Sequence, residues 1–414
     1  MTPPKTASLM VLFAALYFVQ GIVEPAAGLP AQPLQAQLRG WRLSPAEVGY
    51  FFGFIGLGWS IKPLFGLVSD LFPLGGRRRR PYLLLATAAT ALCFLALALT
   101  AGGGGPASVA WLLLLAGLGI AMTDVVIDAL AVERGQAGGI TGEIQAVQWG
   151  ALSVAGLIAG SLGGYIAEHG LLTIMLVACA ALAAFSLAIT FCFAREARKP
   201  PSSRPSLRFA WQQLQGSDRL KTLAAVAAFL FLWNFNPFSS NVLQEYATQH
   251  LRLSEQFFGH LVSLQNVGYI LACVAYFTLC QRIPPRFLLH GCILAGILST
   301  AAYWFFAGPR SAIAVSLLFG FAYQLGLLMQ LDLAARLCPA QSAATTFALL
   351  MAIGNSGVTA ATYLGGLWYD RLATSFDNQP AAYHTLVGIG AACTAAAWLV
   401  TPFLTAQEVV SKEP

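Results

Sequence analysis

Residues 59–82 read WSIKPLFGLVSDLFPLGGRRRRPY, and in this stretch a basic turn separates two long apolar runs. Lys62 stands inside the first run beside Pro63, and four consecutive arginines, residues 77–80, follow a Pro/Gly turn. Such a turn is typical of a short cytoplasmic loop between membrane helices, because moving four arginines across a bilayer is costly. The stretch therefore predicts a membrane protein and fixes its orientation at one point.

The composition of the whole chain also indicates a membrane protein. Apolar residues make up 57% of the 414 residues and charged residues only 10%, whereas a soluble globular chain has about 25% charged residues. An apolar run of roughly 20 residues is long enough to cross the hydrocarbon core. We therefore predict an all-α membrane protein with 12 transmembrane helices, at residues 7–29, 46–67, 82–101, 107–132, 143–167, 170–193, 220–243, 256–279, 287–307, 311–335, 342–368 and 382–404.

The lysines and arginines are distributed unevenly between the predicted loops. With both termini in the cytoplasm, 17 of the 23 basic residues lie on the cytoplasmic side, 5 lie outside and Lys62 lies within a span. Since cytoplasmic loops carry the excess of positive charge, this distribution predicts cytoplasmic termini. We expect the protein to reside in the plasma (inner) membrane and to work as a monomer.

Three short matches, in the same order along the chain, indicate that its second half repeats the first. Two parallel repeats of six spans are typical of the major facilitator fold, in which the substrate binds near mid-membrane between the halves. The sequence thus predicts six-helix bundles at residues 1–194 and 220–414, joined by a cytoplasmic linker at residues 195–219. The matches are Arg42-Leu43-Ser44 with Arg252-Leu253-Ser254, Arg134 with Arg336, and Gly163-Gly164 with Gly365-Gly366.

Two acids in the fourth span are the first candidates for function. Asp124 and Asp128 are four residues apart and so share one face of a helix. Burying an ionisable group in a membrane is costly, and such groups usually mark substrate or proton pathways. Because two close carboxylates do not both ionise easily in a dry site, the pair suits proton coupling or the capture of a substrate rich in hydrogen-bond donors. The alternative is a structural role as acceptors that tie helices together.

Other polar groups inside the spans are candidates for substrate binding. Lys62 is the one basic residue deep in a span, where it would pair with a substrate carboxylate, neutralise a nearby acid or extend toward the cytoplasm. Asn234 and Asn236 precede Pro237 in the seventh span, which predicts a broken helix. For each amide, hydrogen bonding between helices is as good an interpretation. The remaining candidates are Gln20, Glu24, Gln145, Gln148, Trp149, Tyr323 and Gln324.

Charged residues at the cytoplasmic ends of the spans suit a gate better than a binding site. Asp332 and Arg336, four residues apart near the end of the tenth span, are expected to form a structural ion pair. The other candidates for the gate are Asp70, Arg78, Arg79, Arg80, Glu133 and Arg134.

Several classes of function lack their sequence motifs. No GxxxxGK[ST] motif is present, so ATP-driven transport within the chain is not expected. The eight cysteines include no CxxC pair, so neither a metal site nor a disulfide framework is expected. An intramembrane aspartyl protease would need a GxGD motif, which is missing. We expect no enzymatic activity, no cofactor and no nucleic-acid partner.

Three runs of sequence resemble the folate-biopterin transporter family, a branch of the major facilitator superfamily. They are YFVQG from Tyr17 to Gly21, IKPLFGLVSDLFPLGGRRRRPY from Ile61 to Tyr82, and DVVIDALAVERG from Asp124 to Gly135. The resemblance implies transport of folates, pterins or related antifolates. It also implies that Lys62, Asp70, Arg78, Arg79, Arg80, Asp124, Asp128 and Glu133 are functional residues.

The resemblance gives the buried charges specific roles. A pterin ring has an amino group beside a ring N–H, and these two donors fit one carboxylate, either Asp124 or Asp128. The glutamyl tail of folate carries carboxylates, for which Lys62 is the best cation inside the membrane. We expect alternating access, with proton symport and facilitated exchange left as alternatives. The competing interpretations are a carrier of another organic anion, and a membrane assembly or pigment-delivery factor that transports nothing.

Overall fold

The structure is a computed structural model, and it describes residues 6–42, 51–100, 104–194, 196, 217–238, 242–243, 246–282, 284–338 and 343–405. Within these ranges the regular secondary structure is helical, and no β-strand occurs. The all-α prediction is confirmed.

In the described part of the first half, eight helices have their bounds defined. Long apolar runs form most of them, and the exceptions are the short polar helix at Ala31–Gly40 and the predicted second span, which is divided. The helices are α1 (Thr6–Val23), α2 (Ala31–Gly40), α3 (Leu57–Ser60), α4 (Lys62–Leu71), α5 (Arg80–Leu99), α6 (Gly105–Gly138), α7 (Thr141–Glu168) and α8 (Leu172–Phe193).

Among the residues described after position 216, seven helices and three short turns follow. The helix of the predicted seventh span ends at Asn234 and does not continue to residue 243. Pro237 explains this end, because a proline lacks the N–H that a helix interior needs. The helices are α9 (Ser217–Asn234), α10 (Glu255–Leu279), α11 (Pro285–Ala302), α12 (Pro309–Leu337), α13 (Ala343–Phe376), α14 (Gln379–Ala396) and α15 (Thr401–Thr405), with a π-helical turn at Tyr246–His250 and 3-10 turns at Tyr303–Phe305 and Ala397–Val400.

Within the ranges that the structure describes, eight helices are long and apolar enough to cross a membrane, with mean hydropathies from 1.3 to 2.5. Three shorter apolar segments, Ser8–Val23, Lys221–Asn234 and Leu289–Phe305, fall on the predicted first, seventh and ninth spans. The predicted second span, residues 46–67, is interrupted at Gly56 and Ile61 and continues to Leu71. Its first residues, 46–50, lie outside the described ranges. The pattern is consistent with twelve spans.

The chain forms two compact units. Unit 1 comprises Met1–Ala210 with Cys338–Ala348, and unit 2 comprises Trp211–Leu337 with Leu349–Pro414. Most of the predicted linker, residues 195–219, lies outside the described residues, so the predicted domain limits stay a prediction. The short segment 338–348 belongs to unit 1 although it follows α12 in the chain.

Each unit is held together by closely packed apolar helices. In unit 1 one cluster of buried residues includes Phe94 and Leu113, and another includes Phe13 and Val126. In unit 2 glycines permit close contact between helices: a Cβ atom on Gly320 would lie 2.4 Å from the carbonyl oxygen of Gln265. Small residues at such positions let membrane helices approach backbone to backbone.

Candidate functional site

The divided second span presents its residues toward α6. A Cβ atom on Gly58 would lie 3.1 Å from the carbonyl oxygen of Gly117, so α3 packs tightly on α6. The helix is interrupted at Ile61, and α4 begins at Lys62 with Pro63 in its first turn. Proline is tolerated there because the N–H groups of a first helical turn have no partner within the helix. The interruption at Ile61 therefore sets the backbone position from which the Lys62 side chain extends.

Lys62 forms an ion pair with Asp124 inside unit 1. The Nζ atom lies 2.5 Å from Oδ2 of Asp124, and the side chains are 12% and 7% exposed. The other carboxylate oxygen, Oδ1, accepts a hydrogen bond of 2.6 Å from Nε2 of Gln20. Of the three alternatives for Lys62, the structure therefore supports neutralisation of a nearby acid, and it joins three predicted residues from three spans.

Asp128 has a different partner from Asp124. The buried hydroxyl of Tyr17 donates to Oδ1 of Asp128. Gln148 is also buried beside Asp128, although its amide makes no hydrogen bond of normal geometry. Sequence reasoning missed Tyr17 as a site residue; the available signal was its position three residues before Gln20, on the same helical face. The two acids thus differ in chemistry, one bound to an ammonium group and the other to a phenol.

Glu24 lies beyond the end of α1 and does not reach the two acids. Its Oε2 atom accepts hydrogen bonds from the backbone N–H groups of Ala26, at 2.8 Å, and Ala27. Its Oε1 atom accepts a hydrogen bond of 3.1 Å from the indole of Trp59. Of the two candidates from the first span, Gln20 therefore contacts Asp124, whereas Glu24 contacts the turn after α1 and Trp59.

A second polar cluster surrounds Arg79, before the start of α5. Its guanidinium is 1% exposed and donates 2.7 Å hydrogen bonds to Asp70 Oδ1 and Glu133 Oε1, and a 2.9 Å bond to Ser69. Burial lowers the pKa of Arg79, but the charges of Glu133 and Asp70 more than offset this and raise it above the ordinary value. Arg79 therefore stays charged, and three residues predicted for the gate are joined.

The same cluster holds the segment of unit 1 that leads into α13. Oδ2 of Asp70 accepts hydrogen bonds from the backbone N–H of Thr345, at 2.9 Å, and from its hydroxyl, at 2.7 Å. Thr345 lies in the first turn of α13, where free N–H groups and the helix dipole favour an anion. Gly66 makes the approach possible, because a Cβ atom there would lie 2.7 Å from the carbonyl oxygen of Ala344.

The neighbouring arginines do not share the role of Arg79. Arg78 is buried and reaches Glu133 only at 3.5 Å. The guanidinium of Arg80 donates to the carbonyl of Phe191 and lies 5.4 Å from its ring. The Arg80 side chain therefore turns toward α8, and among the described residues it forms no ion pair with the carboxylates around Arg79. Its predicted role in the gate stays a prediction. Arg134, which follows Glu133 in α6, is half-buried.

The side chain of Glu196 binds the backbone of the arginine turn, residues 77–80. Its carboxylate accepts hydrogen bonds from the N–H groups of Arg78, Arg79 and Arg80, at 2.8, 2.9 and 2.9 Å. These are free donors at the start of α5, which a carboxylate satisfies well. Sequence reasoning missed this residue, since it is distant in the chain and stands in a basic linker without a distinctive motif.

Unit 2 contains a cluster of uncharged polar side chains that form hydrogen bonds with one another. Nδ2 of Asn234 donates to the carbonyl of Leu230 at 2.8 Å and to Oε1 of Gln330 at 3.3 Å. The hydroxyl of Tyr323 donates to Oδ1 of Asn234 at 3.2 Å. The end of α9 thus brings Asn234 and Tyr323 together, with Gln330 as an additional member.

Other predicted residues of unit 2 lie in its interior. Asn236 donates to the carbonyl of Trp233 at 3.3 Å, and Gln324 contacts the sulfur of Cys273 at 3.7 Å. The predicted pair of Asp332 and Arg336 is confirmed, with two hydrogen bonds of 2.9 and 2.8 Å, and the hydroxyl of Tyr276 adds a third to Asp332. The binding roles predicted for Asn236 and Gln324 stay a prediction.

Two further predicted residues of unit 1 lie on α7. Gln145 is 2% exposed, and Trp149 is half-buried.

Comparison with known proteins identifies the family. The sequence model of the BT1 family matches residues 26–306. The folate-biopterin transporter of a Synechocystis strain is 27% identical over 395 residues, which cover 89% of this chain and 77% of that protein. Folate transporter 1 of Plasmodium falciparum is 24% identical over 363 residues, covering 82% of this chain and 70% of that protein.

A solved structure establishes the fold. A major facilitator superfamily transporter crystallised in the outward conformation superposes with a TM-score of 0.70, covering 96% of this chain and 98% of its own, at 14% identity. This chain therefore belongs to the BT1 family and has the major facilitator fold.

Proposed function

We propose that the protein is a secondary transporter that carries folates, pterins and related antifolates across a membrane by alternating access. The observation that carries the proposal is the buried cluster of Lys62, Asp124, Gln20, Asp128 and Tyr17. Charges inside a membrane protein usually mark a substrate or proton pathway. Membership of the BT1 family and the relatives named as folate carriers support the same substrates.

The two acids and the lysine suit the two ends of a folate. A pterin ring offers an amino group and a neighbouring ring N–H, which together match one carboxylate through charge-assisted hydrogen bonds. The glutamyl tail offers carboxylates, which match Lys62. In the substrate-free arrangement Asp124 forms an ion pair with Lys62. A carboxylate of the substrate must therefore compete with Asp124 for the ammonium group. This exchange would free Asp124 to accept the pterin.

Proton coupling is proposed for the same pair of acids. Asp128 is linked to a neutral phenol, and Asp124 is linked to a cation. When Lys62 turns to a substrate, two carboxylates remain close together in a dry site, and a proton on one of them relieves their repulsion. Substrate and proton would then move together, as in a symporter.

The Arg79 cluster is proposed as the cytoplasmic gate. Asp70 links Arg79 to the first turn of α13 through Thr345, so breaking one contact loosens the other. This assignment goes with the proposed orientation, in which both termini are cytoplasmic and the arginine turn lies on the inner side of the plasma membrane. We also propose that the carrier works as a monomer.

Uptake by purified protein in liposomes tests the function. We expect saturable uptake of folic acid, 5-formyltetrahydrofolate, biopterin and methotrexate, stimulated by an inward proton gradient. Asp128→Asn should abolish the effect of the gradient, whereas Asp370→Asn, at an exposed position of α13, should not. Uptake that is unchanged in Asp128→Asn would contradict the role of that acid.

The Lys62 site also favours a second candidate, a carrier of another organic anion, because a buried ammonium group attracts carboxylates of many kinds. Uptake of other carboxylates without uptake of the four pteridines would establish this alternative. If the protein transports no solute while remaining folded, the interpretation as a membrane assembly or pigment-delivery factor would replace both.

A further inference from the structure

The ammonium group of Lys62 has a second contact besides Asp124. Its Nζ atom lies 4.4 Å from the ring centroid of Trp59. A cation over an indole face is attracted by the ring, and the attraction is stronger when water is largely excluded. A lysine side chain is a flexible stem with a compact charge, so one ion pair would leave it several orientations. The contact with the indole face of Trp59 reduces the number of orientations that the Lys62 side chain can adopt.

Trp59 is itself fixed by Glu24. The indole N–H donates to Oε1 of Glu24 at 3.1 Å, and the other oxygen of Glu24 is held by the backbone of Ala26 and Ala27. The carboxylate is therefore anchored by the turn after α1 on one side and sets the plane of the indole on the other. The tight contact of Gly58 with α6 holds the adjacent backbone.

We propose that Trp59 is a positioning residue for Lys62 and thereby a determinant of selectivity for substrates that carry a carboxylate. Glu24, Trp59 and Lys62 form a chain of contacts that ends at Asp124. The indole keeps the ammonium group within reach of an incoming carboxylate without forming a bond that must be broken. The part of this proposal that concerns substrates rests on the proposed function.

Transport kinetics with two substrates test the selectivity. Trp59→Leu removes the aromatic face, so we expect the KM for folic acid to rise about threefold to tenfold, whereas the KM for biopterin, which has no carboxylate, stays unchanged. Trp59→Phe keeps a ring but loses the hydrogen bond to Glu24 and should give an intermediate effect. Trp111→Leu, at a 58% exposed tryptophan, is the matched control and should affect neither substrate. An equal rise for both substrates, or no rise for folic acid, would overturn the proposal.

Chemical labelling tests the positioning of Lys62 without any substrate. An amine-reactive imidoester is applied to the purified protein, and labelling of Lys62 is followed by peptide mass spectrometry, with exposed Lys221 as the internal reference. We expect Trp59→Leu to raise the rate at Lys62 about threefold or more and to leave the rate at Lys221 unchanged. If the rate at Lys62 does not change, Trp59 does not position it. This result holds whichever solute the protein carries, so it separates failure of the inference from failure of the proposed function.

Discussion

Removing one charge of the Lys62 and Asp124 pair is expected to cost more than removing both. At 2.5 Å, the attraction of two unit charges is about 7 kcal/mol with an effective dielectric constant of 20. Desolvation of the two groups offsets much of this attraction, but a partner left alone remains buried and uncompensated, which costs about 3–5 kcal/mol. Asp124 keeps its hydrogen bond from Gln20, so we expect about 3 kcal/mol for Lys62→Gln.

The double variant Lys62→Gln with Asp124→Asn leaves no buried charge at these two positions. Replacing a buried ion pair by neutral groups of similar size is often nearly neutral, so we expect a loss of about 1 kcal/mol. The difference between the double variant and the sum of the single variants measures the coupling of the two residues. Both single variants and the double variant should fail to transport folic acid, because each lacks a group that we propose binds it.

Thermal unfolding of the purified protein in detergent provides the measurement. A loss of about 3 kcal/mol corresponds to a fall in Tm of about 6–12 °C, on the scale of domains with 150–250 residues. Asp370→Asn, at an exposed position of α13, is the control and should leave Tm within about 1 °C. Single variants with the Tm of the wild type, or a double variant whose loss equals the sum of the single losses, would refute the reasoning.

Three further changes test other contacts. Tyr17→Phe removes the donor to Asp128 and should cost about 1.5–3 kcal/mol; an unchanged thermal stability would show that the bond contributes nothing. Gly66→Leu places side-chain atoms where the carbonyl of Ala344 lies at 2.7 Å. It should abolish uptake while the protein still inserts into liposomes, and normal uptake would argue against the proposed gate. Glu196→Ala leaves three backbone N–H groups without their acceptor and should lower the stability by about 1–3 kcal/mol, with Glu196→Gln, which keeps one acceptor oxygen, giving a smaller loss in the same unfolding assay.

The sequence predicted the helical fold because membrane insertion depends on local composition. Apolar runs of about 20 residues and basic turns are visible without knowing any long-range contact. The second span was harder, since apolar composition alone does not place its breaks at Gly56 and Ile61, where the segment packs against α6. The end of α9 was easier, because Pro237 by itself excludes a continuous helix.

The site was only partly predictable for the same physical reason. A charged side chain in an apolar run is costly wherever it packs, so Lys62, Asp124 and Asp128 stood out in the sequence. The assignment of partners was not local: the sequence did not distinguish which acid would take the lysine and which the phenol of Tyr17.

Charge and length along the chain by themselves determined that this protein crosses a membrane many times and keeps a few ionisable groups inside. Only the tertiary structure decided that Trp59 faces Lys62, that Glu196 binds the arginine turn and that Thr345 binds Asp70. Unlike a charged side chain in an apolar run, a tryptophan, a linker glutamate and a threonine are not costly to place at these sequence positions. The sequence alone therefore does not mark them as site residues. Their roles arise from distances that packing sets, between residues as many as 275 positions apart.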